Sequence, residues 1–226
     1  MQQANAQHIL LTTPAYFVTG TDTAVGKTAV CAGLCLWAQA AGRAWSYCKP
    51  AASGGAPGDA DFVTALTGRP DRVHVGAQLA APLAPRFAAE AAGEPLDPAR
   101  LDAAWGAARG GAPAVVEGAG GLLVPYAAGL DGAGLAARWR LPLVVVVGNK
   151  LGCLNHALLT LEAAERRGLA VLGVVFNDLG GDASAARNPD DFAALSTIPI
   201  LARLRSLRPG EAPSAAWLAA GAAPVS

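Results

Sequence analysis

The chain has 226 residues, with 17 Lys+Arg against 17 Asp+Glu, 53% apolar and 15% charged residues. Zero net charge excludes a bulk basic surface for nucleic acid and an acidic disordered tail, and the apolar share calls for a packed core. The longest bulky apolar run, Leu141 to Val147, is far shorter than the roughly 18–20 residues of a spanning helix, so no membrane segment is expected.

Met1 to Thr13 has no basic segment leading into an apolar one, so it reads as a tail and not a secretory signal. Residues 1–14 are expected to be flexible, and 15–226 to form one domain. A strand is predicted at Tyr16 to Thr19, then a helix over Lys27 to Ala41 stopped by Gly42. A second strand, Ala44 to Cys48, is followed by a short helix over Asp61 to Leu66. Gly76 to Pro98 is rich in Pro and Ala and reads as irregular. A helix over Pro98 to Ala108 has Asp97 as its N-cap. Ala114 to Val116 is a strand running into Glu117. The four valines within Leu143 to Val147 suit a strand covered on both faces. A helix over Leu154 to Arg167 and strands at Val171 to Phe176 and Ile198 to Leu201 complete the pattern. Strands alternating with helices predict one doubly wound α/β domain with a mostly parallel sheet, its ligands at the carboxyl ends of the strands. Cys31, Cys35, Cys48 and Cys153 form no CxxC pair and read as buried thiols of a cytoplasmic protein.

The first strand runs into Gly20-Thr21-Asp22-Thr23-Ala24-Val25-Gly26-Lys27-Thr28. This is a P-loop, GxxxxxGKT, in the strand–loop–helix context that the chemistry requires. Successive backbone N–H groups and the helix N-terminus cradle phosphate oxygens. Lys27 reaches the β- and γ-phosphates, and the Thr28 hydroxyl ligates Mg²⁺. Glu117, at a strand end before Gly118, Gly120 and Gly121, supplies a carboxylate near the metal. Lys49 ends another strand at the same sheet edge and can neutralise charge on a transferred phosphoryl group. Asn149-Lys150-Leu151-Gly152 imitates a guanine-reading NKxD motif, but Gly152 lacks the acid that must pair with the base. The helix start at Leu151, Gly152, Cys153, Leu154 and Asn155, beside Lys150, offers N–H groups to an anion such as a substrate carboxylate.

The segments YFVTGTDTAVGKT (16–28), YCKPAASG (47–54), APLAPRFAAE (81–90), VVEGAGGLLVP (115–125), NKLGCLNHALLT (149–160) and VVFND (174–178) together resemble the dethiobiotin synthetase family. The resemblance implies ATP-dependent carboxylation and ring closure of 7,8-diaminopelargonate with CO₂, with Mg²⁺ as cofactor and a homodimer as the assembly. It implies no nucleic-acid or membrane partner. ATP would lie on Thr23, Ala24, Val25, Gly26, Lys27, Thr28 and Ala29, with Glu117, Gly118, Ala119 and Gly120 opposite. Lys49 and Lys27 would be catalytic, and Ser53 would bind substrate. Thr28, Glu117 and a third acid would hold the metal. Asp61 fits that third position because a helical pattern follows it, with Asp59 as competitor. Asn177 would read adenine beside Asp178, Glu211 would face the ribose, and Lys150 to Asn155 would receive the substrate carboxylate. Three positions depart from the family pattern: Ala24 replaces a common glutamate, Arg86 replaces a frequent histidine, and Ala202 to Arg205 lacks the usual proline. The alternative is a partition or septum-site ATPase switch, which needs a second lysine where this chain has Asp22.

Overall fold

The computed structural model describes residues 6–110 and 113–222. In chain order the elements are α1 (Ala6–Thr12), β1 (Ala15–Gly20), α2 (Lys27–Ala40), β2 (Ser46–Ser53), α3 (Asp59–Thr67), β3 (Val73–Leu79), α4 (Pro85–Ala91), α5 (Pro98–Ala108) and β4 (Ala114–Gly121). There follow β5 (Pro125–Ala127), β6 (Leu130–Asp131), α6 (Gly132–Arg138), β7 (Leu143–Asn149), α7 (Cys153–Arg166), β8 (Val171–Asp178), α8 (Asn188–Leu195), β9 (Ile200–Leu204) and α9 (Ala215–Gly221).

Seven strands form one sheet in the order β3-β2-β4-β1-β7-β8-β9. Every pairing within it is parallel. The valine strand shows why such a sheet needs cover on both faces. All seven residues of β7 are buried, and they alternate: Val144 and Val146 join one apolar cluster, Val145 and Val147 the other. α2 and α9 pack on the first face, α5 and α7 on the second. β1 lies between β4 and β7, so the loop leaving its carboxyl end sits where the strand order reverses.

Several expectations change. The segment read as a flexible tail contains α1, whose Leu10 is wholly buried in the first cluster, so an apolar anchor outweighs the polar residues around it. The strand expected to stop at Cys48 continues through Pro50 to Ser53, paired with β3 alone after Cys48. β3 and α4 occupy the stretch read as irregular. β3 is an edge strand with little fully buried surface, and Gly76 breaks its side-chain pattern. That glycine is required by space: a Cβ there would lie 2.3 Å from the Pro50 carbonyl and 3.3 Å from that of Arg100.

Gly76→Ala should therefore destabilise the protein by about 1–3 kcal/mol, as overpacking against fixed backbone does. Gly106, exposed in the last turn of α5, has nothing within 4 Å of its added Cβ. Gly106→Ala should stabilise by about 0.5–1 kcal/mol. Urea unfolding of both variants checks the pair; loss of stability in both would contradict this packing.

Candidate active site

The loop after β1 packs tightly against neighbouring strand ends. Gly26 has φ +89, and a Cβ on it would lie 2.2 Å from the Asn177 amide nitrogen, so only glycine fits. α2 begins at the next residue, Lys27. Lys27 is buried and donates from Nζ to the Asp22 carbonyl at 3.0 Å. Burial pushes its pKa down, Lys49 adds to that, and Glu117 opposes.

Side chains from within two strands and from one helix start converge next to this loop. Glu117 lies on β4 and is 1% exposed; Lys49 lies on β2 and is 3% exposed. Lys49 Nζ sits 2.7 Å from Glu117 Oε1 and 2.6 Å from Asp59 Oδ2, and donates to the Gly118 carbonyl at 3.3 Å. Burial alone would lower the Lys49 pKa, but the two carboxylates outweigh it and hold the ammonium well above its ordinary value. Thr28 Oγ1 is 2.9 Å from both Asp59 Oδ1 and Glu117 Oε1. A hydroxyl has one proton for these two acceptors, so the spot is rich in oxygen ligands. Thr28, Asp59 and Glu117 form the hard, anionic donor set that suits Mg²⁺.

A cavity of about 410 Å³ opens over this cluster. Of the expected residues, Thr23, Ala24, Gly26, Lys27, Thr28 and Lys49 line it, as do Ser53, Glu117, Ala119 and Gly120. Ala51 and Asp59 complete the lining. Val25 is instead buried beneath the loop, Ala29 packs on the core, and Gly118 lies against the Phe17 ring.

Asp61 does not join the cluster. Its carboxylate accepts from the Gly58 backbone N–H at 2.8 Å and caps α3. Helix start and acid position were legible together, but the acid two residues earlier is the one that reaches Thr28 and Lys49. Asn177 is buried, and its Nδ2 donates to the Val25 carbonyl at 3.0 Å, which ties β8 to the phosphate loop. Asp178 accepts from Gly180 N at 2.8 Å. Glu211 accepts from the Arg205 guanidinium and from Arg208 N, and its carboxyl is held down to about 2, chiefly by Arg205.

The α7 start is modified relative to expectation. Leu151 N donates to Asp182 Oδ2 at 2.8 Å, so one N–H offered to an external anion is already taken. Gly152 precedes the helix, which begins at Cys153 and continues through Leu154 and Asn155. Asn149 is committed to protein partners, donating to the Ala185 carbonyl and accepting from Asn188, and Asn188 also donates to the Lys150 carbonyl.

Two tyrosines that no sequence motif marks also bear on the site. The wholly buried Tyr47 donates its hydroxyl to Glu117 Oε2 at 2.8 Å. Burial, then Glu117, pushes its phenol pKa well up, so it stays protonated. The Tyr126 hydroxyl accepts from Ala119 N at 2.6 Å and fixes the last part of β4. Burial pushes that phenol up to about 12, with Lys49 pulling the other way. Strand alternation was the available signal for Tyr47, two residues before Lys49.

An AAA domain family model matches residues 14–214. The ATP-dependent dethiobiotin synthetase BioD of Anaeromyxobacter dehalogenans is 46% identical over 188 residues, covering 80% of this chain and 84% of the relative. That of Haloferax mediterranei is 39% identical over 189 residues, covering 82% and 81%. Among solved structures, a ParA family ATPase from Chlorobium tepidum superposes with a TM-score of 0.51 at 13% identity, over 85% of this chain and 83% of that one. At that identity the likeness concerns the fold alone.

The Asp59–Lys49 contact has a pH consequence. Burial would raise the Asp59 pKa, but Lys49 outweighs it and holds the carboxyl below its usual value. A carboxyl depressed in the folded state stabilises the fold above the unfolded value, about 3.9, and ceases to as pH falls through the folded value. Nucleotide-free protein should lose stability below about pH 4, and Asp59→Asn should make that loss shallower. Urea midpoints across the acid range check this; an unchanged acid slope in Asp59→Asn would contradict it.

Proposed function

The chain belongs to the ATP-dependent dethiobiotin synthetases, and from that premise we infer that it carboxylates 7,8-diaminopelargonate with CO₂ and closes the ring to dethiobiotin. The observation that carries the site assignment is the junction of Lys49, Glu117, Asp59 and Thr28 beside the phosphate loop. One amine of the diamine attacks CO₂, forms an N–C bond and loses a proton, giving a carbamate. A carbamate oxygen attacks the γ-phosphorus, and ADP leaves. The second amine then attacks the carbonyl carbon and expels phosphate.

Negative charge passes through one region in both later steps, and this chain's cations are aimed there. Lys27 holds the β- and γ-phosphates against the N-terminus of α2. Lys49 neutralises charge on the carbamate and the transferred group. Thr28, Glu117 and Asp59 would hold Mg²⁺, which supplies charge neutralisation on the phosphate oxygens when bound. Asp59 takes the place first given to Asp61. Ser53 lies along the same cavity and binds the diamine. Asn177 and Asp178 bound the adenine side, and Glu211 holds the Arg205 side of the ribose site. Residues 15–226, joined by α1, act as one P-loop α/β domain. Among the described residues no helix is long and apolar enough to cross a membrane, and all four cysteines are free and buried. The family assignment supports a cytoplasmic enzyme that acts on small molecules.

Protein given MgATP, bicarbonate and the diamine should release ADP and phosphate only when all are present. Lys27→Ala should weaken nucleotide binding and nearly abolish turnover. Lys49→Ala should keep nucleotide affinity and lose about 10²–10³ in kcat. Asp59→Asn should slow turnover strongly, while Asp61→Ala should leave turnover unchanged and cost only helix-cap stability, about 1 kcal/mol. Steady-state kinetics with calorimetric ADP titration separate these outcomes. Unchanged kcat in Lys49→Ala would refute its role, and diamine-independent turnover stimulated by DNA or lipid would support a switch ATPase instead.

The assembly we propose is a homodimer whose interface borders the diamine site at the start of α7. Leu151 and Leu159 support it: they are 80% and 56% exposed, whereas Leu154 and Leu158 pack on their own sheet. Sedimentation equilibrium should give a dimer for the wild type and a monomer with weakened diamine binding for Leu159→Asp. A monomeric wild type with full activity would overturn the proposal.

A further inference from the structure

The two oxygens of Glu117 face different partners. Oε1 meets Thr28 Oγ1 at 2.9 Å and Lys49 Nζ at 2.7 Å, on the cavity side. Oε2 meets the Tyr47 hydroxyl at 2.8 Å. Tyr47 is wholly buried, lies in the first apolar cluster, and is not part of the cavity lining. Its backbone pairs with Val115 on β4, two residues before Glu117, so both ends of the hydrogen bond are set by the same strand pair.

A carboxylate with one unengaged oxygen can rotate about its last torsion and share both oxygens with the same cation. The Tyr47 hydroxyl removes that freedom. It is a neutral donor on a rigid ring, so it satisfies Oε2 without competing for charge with Lys49. A phenylalanine would fill the same apolar space, so the hydroxyl itself requires a partner-based explanation.

We propose that Tyr47 is a positioning residue that commits Glu117 Oε2 and thereby presents Oε1 alone to the Mg²⁺ of MgATP. This rests on the reading of Glu117 as a metal ligand. Tyr47 acts through that carboxylate and touches neither nucleotide nor diamine.

The test is calorimetric titration of ADP, with and without Mg²⁺, into wild type, Tyr47→Phe, Glu117→Gln and the double variant. Tyr47→Phe should keep the metal-free ADP affinity and lose about tenfold of the gain that Mg²⁺ confers, the scale on which partners of metal ligands act. In the Glu117→Gln background, Tyr47→Phe should remove nothing further. A full Mg²⁺ gain in Tyr47→Phe, or losses that simply add in the double variant, would overturn the proposal. No Mg²⁺ gain in the wild type, or an undiminished gain in Glu117→Gln, would instead overturn the ligand reading beneath it. Should Tyr47→Phe alone fail to fold, a double variant that folds supports the proposal, because the charged oxygen needing a donor is gone. A double variant that also fails to fold shows that the hydroxyl serves the core, and overturns it.

Discussion

Burying an ammonium group next to a phosphate site dictates the arrangement of everything around it. Lys49 is 3% exposed, and a lone cation at that depth would give up its proton or unfold the site. Glu117 and Asp59 prevent this by lying within 2.7 Å of Nζ. Of the two, only Glu117 forms a fully buried pair with Lys49, and breaking such a pair typically costs about 3–5 kcal/mol because it strands the other charge; Asp59 is part-exposed. The same two carboxylates also flank Thr28. A single pair of acids thus keeps Lys49 charged and creates the oxygen-rich spot for a metal.

The parallel sheet makes this economy possible. β1, β4 and β2 are neighbours, and all three end on the same side. The phosphate loop, Glu117 and Lys49 therefore meet without any long excursion of the chain. Asp59 arrives from the first residue of α3, just beyond β2. Tyr47 and Tyr126 then fix the β4 end from two directions, one through a side-chain oxygen and one through a backbone N–H. These contacts hold the groups of the site in one fixed arrangement, and preorganised groups of this kind stabilise developing charge most strongly.

What could be read from the residues alone was whatever lies in a contiguous stretch at a strand end. The phosphate loop is of this kind, and the strand–loop–helix context gave Lys27 and Thr28 their geometry; Lys49 and Glu117 were found because each follows an apolar run, although their strands continue to Ser53 and Gly121. Asp59 and Asp61 stand two residues apart at one helix start, and only the approach of Lys49 from another strand separates a site acid from a capping acid. Asp182 lies 31 residues beyond the N–H of Leu151 that it occupies, so no local pattern could reveal it. β3 was hidden because an edge strand needs little burial and because Gly76 yields to the backbone beside it. α1 was hidden because its apolar run, Ile9 to Leu11, is too short to show a helical period, although Leu10 and Leu11 are both buried.

The central claim is that Glu117, Thr28 and Asp59 jointly hold the metal while Lys49 is held charged between the two acids. Crystals grown with ADP and Mn²⁺, with the metal located by anomalous scattering, test it directly. The account predicts a single peak bonded to oxygens of Thr28, Glu117 and Asp59, directly or through one water, with Lys49 still within reach of Glu117. A peak beside Asp61, or one with Asp59 and Glu117 both turned away from it, would contradict the account.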